Sequence, residues 1–133
     1  MQDNKSLYRE FVEEVINRKN YAAVDRLVDP NVVSHDPFPG QPPGAAGVVS
    51  TFKLFHKAFP DLHAETREVL AEGDKVAGLF TVTGTHKGEF LGNKPTGHPI
   101  EYAEVIILTF KNGKIVDHKA VADTVGLMQA IAA

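Results

Sequence analysis

The sequence predicts an α+β fold, a strongly curved, mixed but mostly antiparallel sheet with three N-terminal helices gathered on one side to enclose a pocket. Three observations carry this expectation. Apolar residues recur at helical spacing up to Phe59, the period changes to two from Leu62 onward, and Asn112-Gly113 joins the last two alternating runs.

The helical half comes first in the chain. Leu7, Phe11, Val12, Val15 and Ile16 form one stripe across residues 5–18, with Arg9, Glu10, Glu13 and Arg18 elsewhere, which is an amphipathic helix. Asn20 offers an N-cap for a short second helix from Tyr21 to Val28, and Asp29-Pro30 stops it. A short strand from Val32 to His35 leads into the loop from Asp36 to Gly44, which proline and glycine make rigid and turn-rich. Val48, Phe52, Phe55 and Phe59 then mark a third helix over 45–59, ending before Pro60.

The strand half follows. Residues 62–72 alternate up to a turn at Glu72-Gly73-Asp74, and the return strand from Lys75 to about His86 is rich in Val, Phe and Thr. After a loop from Lys87 to Pro99, a strand from Ile100 to Phe110 turns tightly at Asn112-Gly113 into Ile115–Ala122, because a type I′ turn needs positive φ at both central positions. Residues 123–131 read as a terminal helix capped by Asp123.

Ideal pairing about that turn places Phe110 opposite Ile115, Leu108 opposite Asp117, Ile106 opposite Lys119, Glu104 opposite Val121 and Tyr102 opposite Asp123. In this register the pocket face combines an apolar floor with Tyr102, Glu104, Lys119 and Asp123. The opposite face carries Ala103, Val105, Ile107, Val116, Ala120 and Ala122 with Thr109 and His118, and its small apolar side chains are expected to pack against a second subunit as a homodimer.

Length and composition bound the function. The 133 residues suit one domain spanning 1–133, and 43% hydrophobic with 23% charged residues suits a soluble globular protein. No cysteine is present, which removes thiolate chemistry and sulfur-based zinc sites and fits a reducing, cytoplasmic setting. The start Met1-Gln2-Asp3-Asn4-Lys5 is polar, unlike a signal peptide, and no apolar run is long enough to span a membrane. A net charge of −3 without a basic run argues against nucleic acid as a partner. The six histidines show no metal-ligand spacing and no glycine cluster has phosphate-loop spacing, so neither metal nor cofactor is expected. The expected partner is a small hydrophobic organic ligand.

Several segments resemble the SnoaL-like family of polyketide cyclases and ester cyclases. They are His35-Asp36-Pro37, Phe59-Pro60-Asp61-Leu62, the Gly84-Thr85-His86-Lys87-Gly88-Glu89-Phe90 run, the Asn112 to His118 hairpin, and Asp123-Thr124-Val125-Gly126-Leu127-Met128-Gln129. The resemblance covers nearly all of the chain from Leu7 to Ile131. It implies a cone-shaped fold of the nuclear-transport-factor-2-like or cystatin-like kind, a dimer, and intramolecular aldol closure of a polyketide ester by acid/base chemistry without a cofactor. The base of that family falls by motif position on Asp123. The chain departs from the family where Lys119 replaces a frequent Trp and Thr109 a frequent Arg.

Each candidate residue has a plainer reading beside the catalytic one. Asp123 is either the base, its carboxylate desolvated by an apolar cavity, or only a helix cap. His35, at the end of its strand, is either a general acid or a ligand for loop backbone. Glu104 and Lys119 are a neutralising ion pair or orient an enolate, and Tyr102 offers its hydroxyl to the same oxygen or packs in the core. Phe55, Phe59 and Phe90 are the apolar candidates for substrate contact. His118 falls on the face opposite Asp123 unless a bulge intervenes, so it is left out of the catalytic set. The leading expectation is thus a cofactor-independent cyclase or isomerase-type enzyme acting on a hydrophobic carbonyl compound. The alternative is a non-catalytic ligand-binding or protein-interaction domain, and an epoxide-type hydrolase is a third reading.

Overall fold

The computed structural model describes residues 3–133. Met1 and Gln2, the start of the polar N-terminal stretch, lie outside the described residues.

Helix α1 (Asn4–Phe11) starts where the Asp3 carboxylate accepts the Ser6 N–H at 2.8 Å, a side-chain cap. It continues as a π-helical turn over Val12–Asn17, and the expected stripe is the buried one. The widened turn ends where the Asn17 amide exchanges two hydrogen bonds with the Ala64 backbone, at 3.2 and 2.8 Å, tying the helix to the sheet. The second helical segment is shorter and tighter than the sequence suggests, a 3-10 turn (Tyr21–Ala23) followed by α2 (Val24–Leu27). Asn20 does not cap it with its side chain, whose amide bonds Glu14 instead; its backbone carbonyl accepts from Ala23.

Strand β1 (Val28–Ser34) begins earlier than expected and includes Asp29-Pro30. Proline there is tolerable because β1 is an edge strand and its register with its neighbour slips between Val28 and Val33, where Pro30 owes no ladder donor. Helix α3 (Gly44–Ala58) follows within one residue of its expected bounds. Strands β2 (His63–Glu72), β3 (Lys75–Thr85), β4 (Pro99–Lys111) and β5 (Lys114–Ala122) complete a mixed sheet in the order β1-β5-β4-β3-β2. Among the described residues only β1 and β5 run parallel; the other pairs are antiparallel, which the tight turns after β2 and β4 require for the pairs they join. Helix α4 (Thr124–Ala132) turns back across β4. The α+β class and its curved, mostly antiparallel sheet are thus as expected.

The Asn112-Gly113 turn forms with φ of 52° and 76°, and Lys111 and Phe110 face Lys114 and Ile115. Beyond that point the expected register fails. A bulge with Val116 as its extra residue moves every later residue of β5 by one place, so Thr109 faces Asp117, Leu108 faces His118, Ile107 faces Lys119 and Glu104 faces Ala122. Because side chains alternate along a strand, one inserted residue exchanges the two faces. His118, Ala120 and Ala122 turn inward, while Asp117, Lys119 and Val121 turn outward.

The core lies between the helices and the concave side of the sheet, around Tyr8, Phe11, Phe59, Phe80 and Phe90. Tyr8 reaches the sheet because Gly78 has no side chain: a Cβ there would stand 2.4 Å from the Tyr8 hydroxyl, which donates to the Ile106 carbonyl at 2.8 Å. Among the described residues, no helix is long and apolar enough to cross a membrane.

Candidate active site

A cavity of about 430 Å³ opens between the helices and the inner sheet face. Its size follows from residue volumes. Beyond His118, strand β5 contributes only the methyl groups of Ala120 and Ala122 to the floor, leaving space that larger residues would fill. Helix α3 supplies Phe52 and Phe55, the loop after β1 supplies Phe38, and the β3–β4 loop supplies Phe90 and Leu91. The wall is a continuous aromatic cluster, with ring centroids 5.4 Å apart for Phe38 and Phe55 and 5.3 Å for Phe55 and Phe90. Thr124, Leu127 and Met128 of α4 close the far side.

Few polar groups interrupt this surface. Tyr102 and Glu104, two residues apart on β4, share the inner face, and both line the cavity. Burial pushes the Glu104 carboxyl up to about 7, because the low-polarity surroundings penalise its charged form. Among the described residues it makes no hydrogen bond or ion pair. Burial likewise raises the Tyr102 phenol, with the Glu104 charge adding to the effect, so it stays protonated as a donor. The hydroxyl has no protein acceptor among the described residues. Two unpartnered polar groups therefore point into one apolar chamber.

A second polar group lies across the floor. Ser34, Asp36 and His118 line the cavity where β1 passes β5, with Ser34 directly paired to His118. Asp36 accepts the Ala120 N–H through Oδ2 at 3.2 Å, so it is fastened to β5 where β1 has ended. Burial lowers the His118 imidazole, and the nearby carboxylates of Asp36 and Asp117 offset part of that shift. Among the described residues no group of three or more His, Asp or Glu side chains is arranged to hold a metal ion.

The expected site residues thus separate. Tyr102, Glu104, Phe55 and Phe90 all line the cavity. Phe59 does not; it is fully buried behind Phe90, with ring centroids 5.2 Å apart. Lys119 is exposed on the outer face opposite Ile107, so it cannot pair with Glu104, and the bulge is the reason. Asp123 is exposed too, outside the cavity lining, and its Oδ1 accepts the Gly126 N–H at 2.9 Å as the cap of α4. Its backbone N–H meets the Ala103 carbonyl rather than facing Tyr102. His35 alternates outward with Val33, and its Nε2 bonds Asp117 Oδ1 at 2.6 Å on the outside of the sheet.

Sequence reading missed Ser34, Asp36 and His118. His118 gives no clear signal, because residues 114–122 run Ile-Val, Asp-His-Lys, Ala-Val-Ala after Lys114 and carry no clean alternation that would fix the register. Asp36 gives none either, because its place depends on where β1 stops.

Comparison with known proteins agrees with this architecture. The family model for SnoaL-like polyketide cyclase matches residues 6–131. The candidate polyketide cyclase IdmH from Streptomyces antibioticus is 26% identical, with TM-score 0.86 over 99% of this chain and 100% of that one. AclR, a candidate hydroxylase from Streptomyces galilaeus, is 34% identical, with TM-score 0.82 over 96% of this chain and 83% of that one. A candidate polyketide cyclase from Acidithiobacillus ferrooxidans is 26% identical, with TM-score 0.81 over 99% and 98%. No curated protein sequence matches. With its model covering nearly the whole chain and its sheet and helices shared with these structures, the protein belongs to the SnoaL-like polyketide cyclase family.

Proposed function

We propose that the protein is a cyclase or isomerase-type enzyme that works by acid/base chemistry on a small hydrophobic carbonyl or polyketide-like compound, with Glu104 as the base. The observation that supports this most is the unpartnered Glu104 carboxyl, raised to about 7 inside an apolar cavity. A base matched to neutral pH is half ionised there and accepts a proton from a carbon acid held between two carbonyls. The Tyr102 hydroxyl, on the same face, donates a hydrogen bond to the enolate oxygen as charge develops. In a ring closure the enolate carbon then attacks a second carbonyl of the same molecule. The new alkoxide takes back the proton held by Glu104, so the step is balanced without an oxidant or reductant.

Asp123, the base implied by motif position, enters this scheme only as the residue that fixes α4 over the cavity. The outer sheet face fits a second copy of the chain: Val33, Val105 and Val121 are exposed there, Val121 to 73%. A dimer through that face leaves the cavity, on the other side of the sheet, unobstructed.

The 34% identity to AclR supports a second reading, hydroxylation of a similar apolar compound. Mass spectrometry of products from neutral polyketide-like carbonyl compounds separates the two, since ring closure keeps the mass or loses water whereas hydroxylation adds one oxygen. Turnover that survives intact in Glu104→Gln rejects Glu104 as the base.

A further inference from the structure

We propose that His118 is a second recognition residue, so that the cavity selects an elongated apolar molecule with an uncharged hydrogen-bonding group at each end, one for Glu104 and Tyr102 and one for His118. This rests on reading the cavity as the substrate site.

The ladder sets the distance between the two stations. Glu104 stands opposite Ala122 and Leu108 opposite His118. The stations are therefore four residues apart along the sheet, roughly 14 Å at about 3.4 Å per residue. Ile106 and Ala120 lie between them and offer no side-chain hydrogen bond. A molecule that engages both ends must span this apolar stretch.

The second station is built rather than incidental. The Val116 bulge turns His118 inward, β1 places Ser34 beside it, and Asp36 is anchored by the Ala120 N–H. Among the described residues the His118 ring makes no hydrogen bond to another side chain or to another residue's backbone. Burial favours the neutral imidazole, which carries one donor and one acceptor nitrogen and so serves a hydroxyl or a carbonyl equally. Among the described residues no Lys or Arg lines the cavity, whereas Asp36 and Glu104 do, so an anionic end group meets no compensating charge. A ligand that reaches one station only leaves the other polar group buried without a partner, and that is the source of the selectivity.

Two probes of one body test this. 4-Phenylphenol carries a hydroxyl at one end, and 4,4′-dihydroxybiphenyl carries one at each. With the full chain, calorimetric titration is expected to show the dihydroxy probe bound about tenfold more tightly, the effect of one added hydrogen bond in a dry site. His118→Ala should abolish that ratio while keeping the affinity for 4-phenylphenol, and His118→Gln, which retains a donor and an acceptor, should keep most of it. Equal affinity of the wild-type protein for the two probes, an unchanged ratio in His118→Ala, or no binding of either probe overturns the proposal. An intact probe ratio in a protein without turnover leaves the proposal standing and counts against the enzymatic reading alone.

Discussion

Leu108 on β4 stands across the ladder from His118, not from Asp117. That single pairing decides which titratable groups meet the cavity. With it, the chamber holds His118 beside Asp36, Tyr102 and Glu104 and excludes Lys119 and Asp123. A carboxyl without a counter-cation in an apolar chamber is a different chemical object from a Glu–Lys ion pair, because only the former has its proton affinity moved toward neutrality.

Glu104→Gln should fold and bind apolar ligands but lose turnover by about 10²–10⁴-fold, the usual contribution of a positioned base. Steady-state kinetics on a confirmed substrate check this. In the wild-type protein kcat/KM should rise with pH through about 7 as the carboxyl ionises, and that limb should be absent from the residual activity of the variant.

The same carboxyl should leave a signature in stability. Its proton is held more tightly in the folded chain than in the unfolded one, so folding favours the neutral form. The stability linked to it is complete below pH 4.5, its unfolded value, and is lost as pH rises through about 7. Glu104→Gln should therefore gain on the wild type between pH 5 and pH 8, by on the order of 1–3 kcal/mol. Urea unfolding of both proteins at the two pH values measures the difference. The His118 and His56 imidazoles, both lowered by desolvation, are common to the two proteins and cancel.

Lys119→Ala should change unfolding free energy by less than about 0.5 kcal/mol and leave kcat unaltered, as for an exposed side chain without special contacts. A large loss of activity in this variant would mean that the ideal hairpin register, rather than the bulged one, holds in solution.

Asp123→Ala should cost about 1 kcal/mol through loss of the α4 cap, and Asp123→Asn, which still offers an oxygen to the Gly126 N–H, should cost less. Turnover per folded molecule should be retained in both. Thermal melts paired with activity measurements distinguish a cap from a base.

Val121→Asp on the outer face should convert a dimer to a monomer in sedimentation at micromolar concentration, without altering probe binding in the cavity. A wild-type protein that sediments as a monomer under those conditions rejects pairing through this face.

Most of the fold was legible because it rests on local rules. The stripe from Leu7 to Ile16, the aromatic spacing of α3 and the Asn112-Gly113 turn each follow from periodicity or from required backbone angles, and each stands where the residues indicate. Half of the site was legible for the same reason: Tyr102 and Glu104 sit on β4, whose register with β3 is unbroken from Pro99 to Thr109. The rest depended on one inserted residue. Val116 is compatible with either face, so its placement is settled by packing against β1 and β4 rather than by its own preference. Everything beyond it on β5 then exchanged sides. The directions of His35 and Asp36 were likewise not legible, since the outward or inward direction of each follows from the end of β1 at Ser34.

The most direct test is a pH titration of the Glu104 side-chain carboxyl, followed by its ¹³C chemical shift in selectively labelled, ligand-free protein. A midpoint near 7 is expected. A midpoint near the ordinary value of 4.5 would contradict the assignment of Glu104 as the base, because the carboxylate would then be solvated and too weak a base for the chemistry proposed.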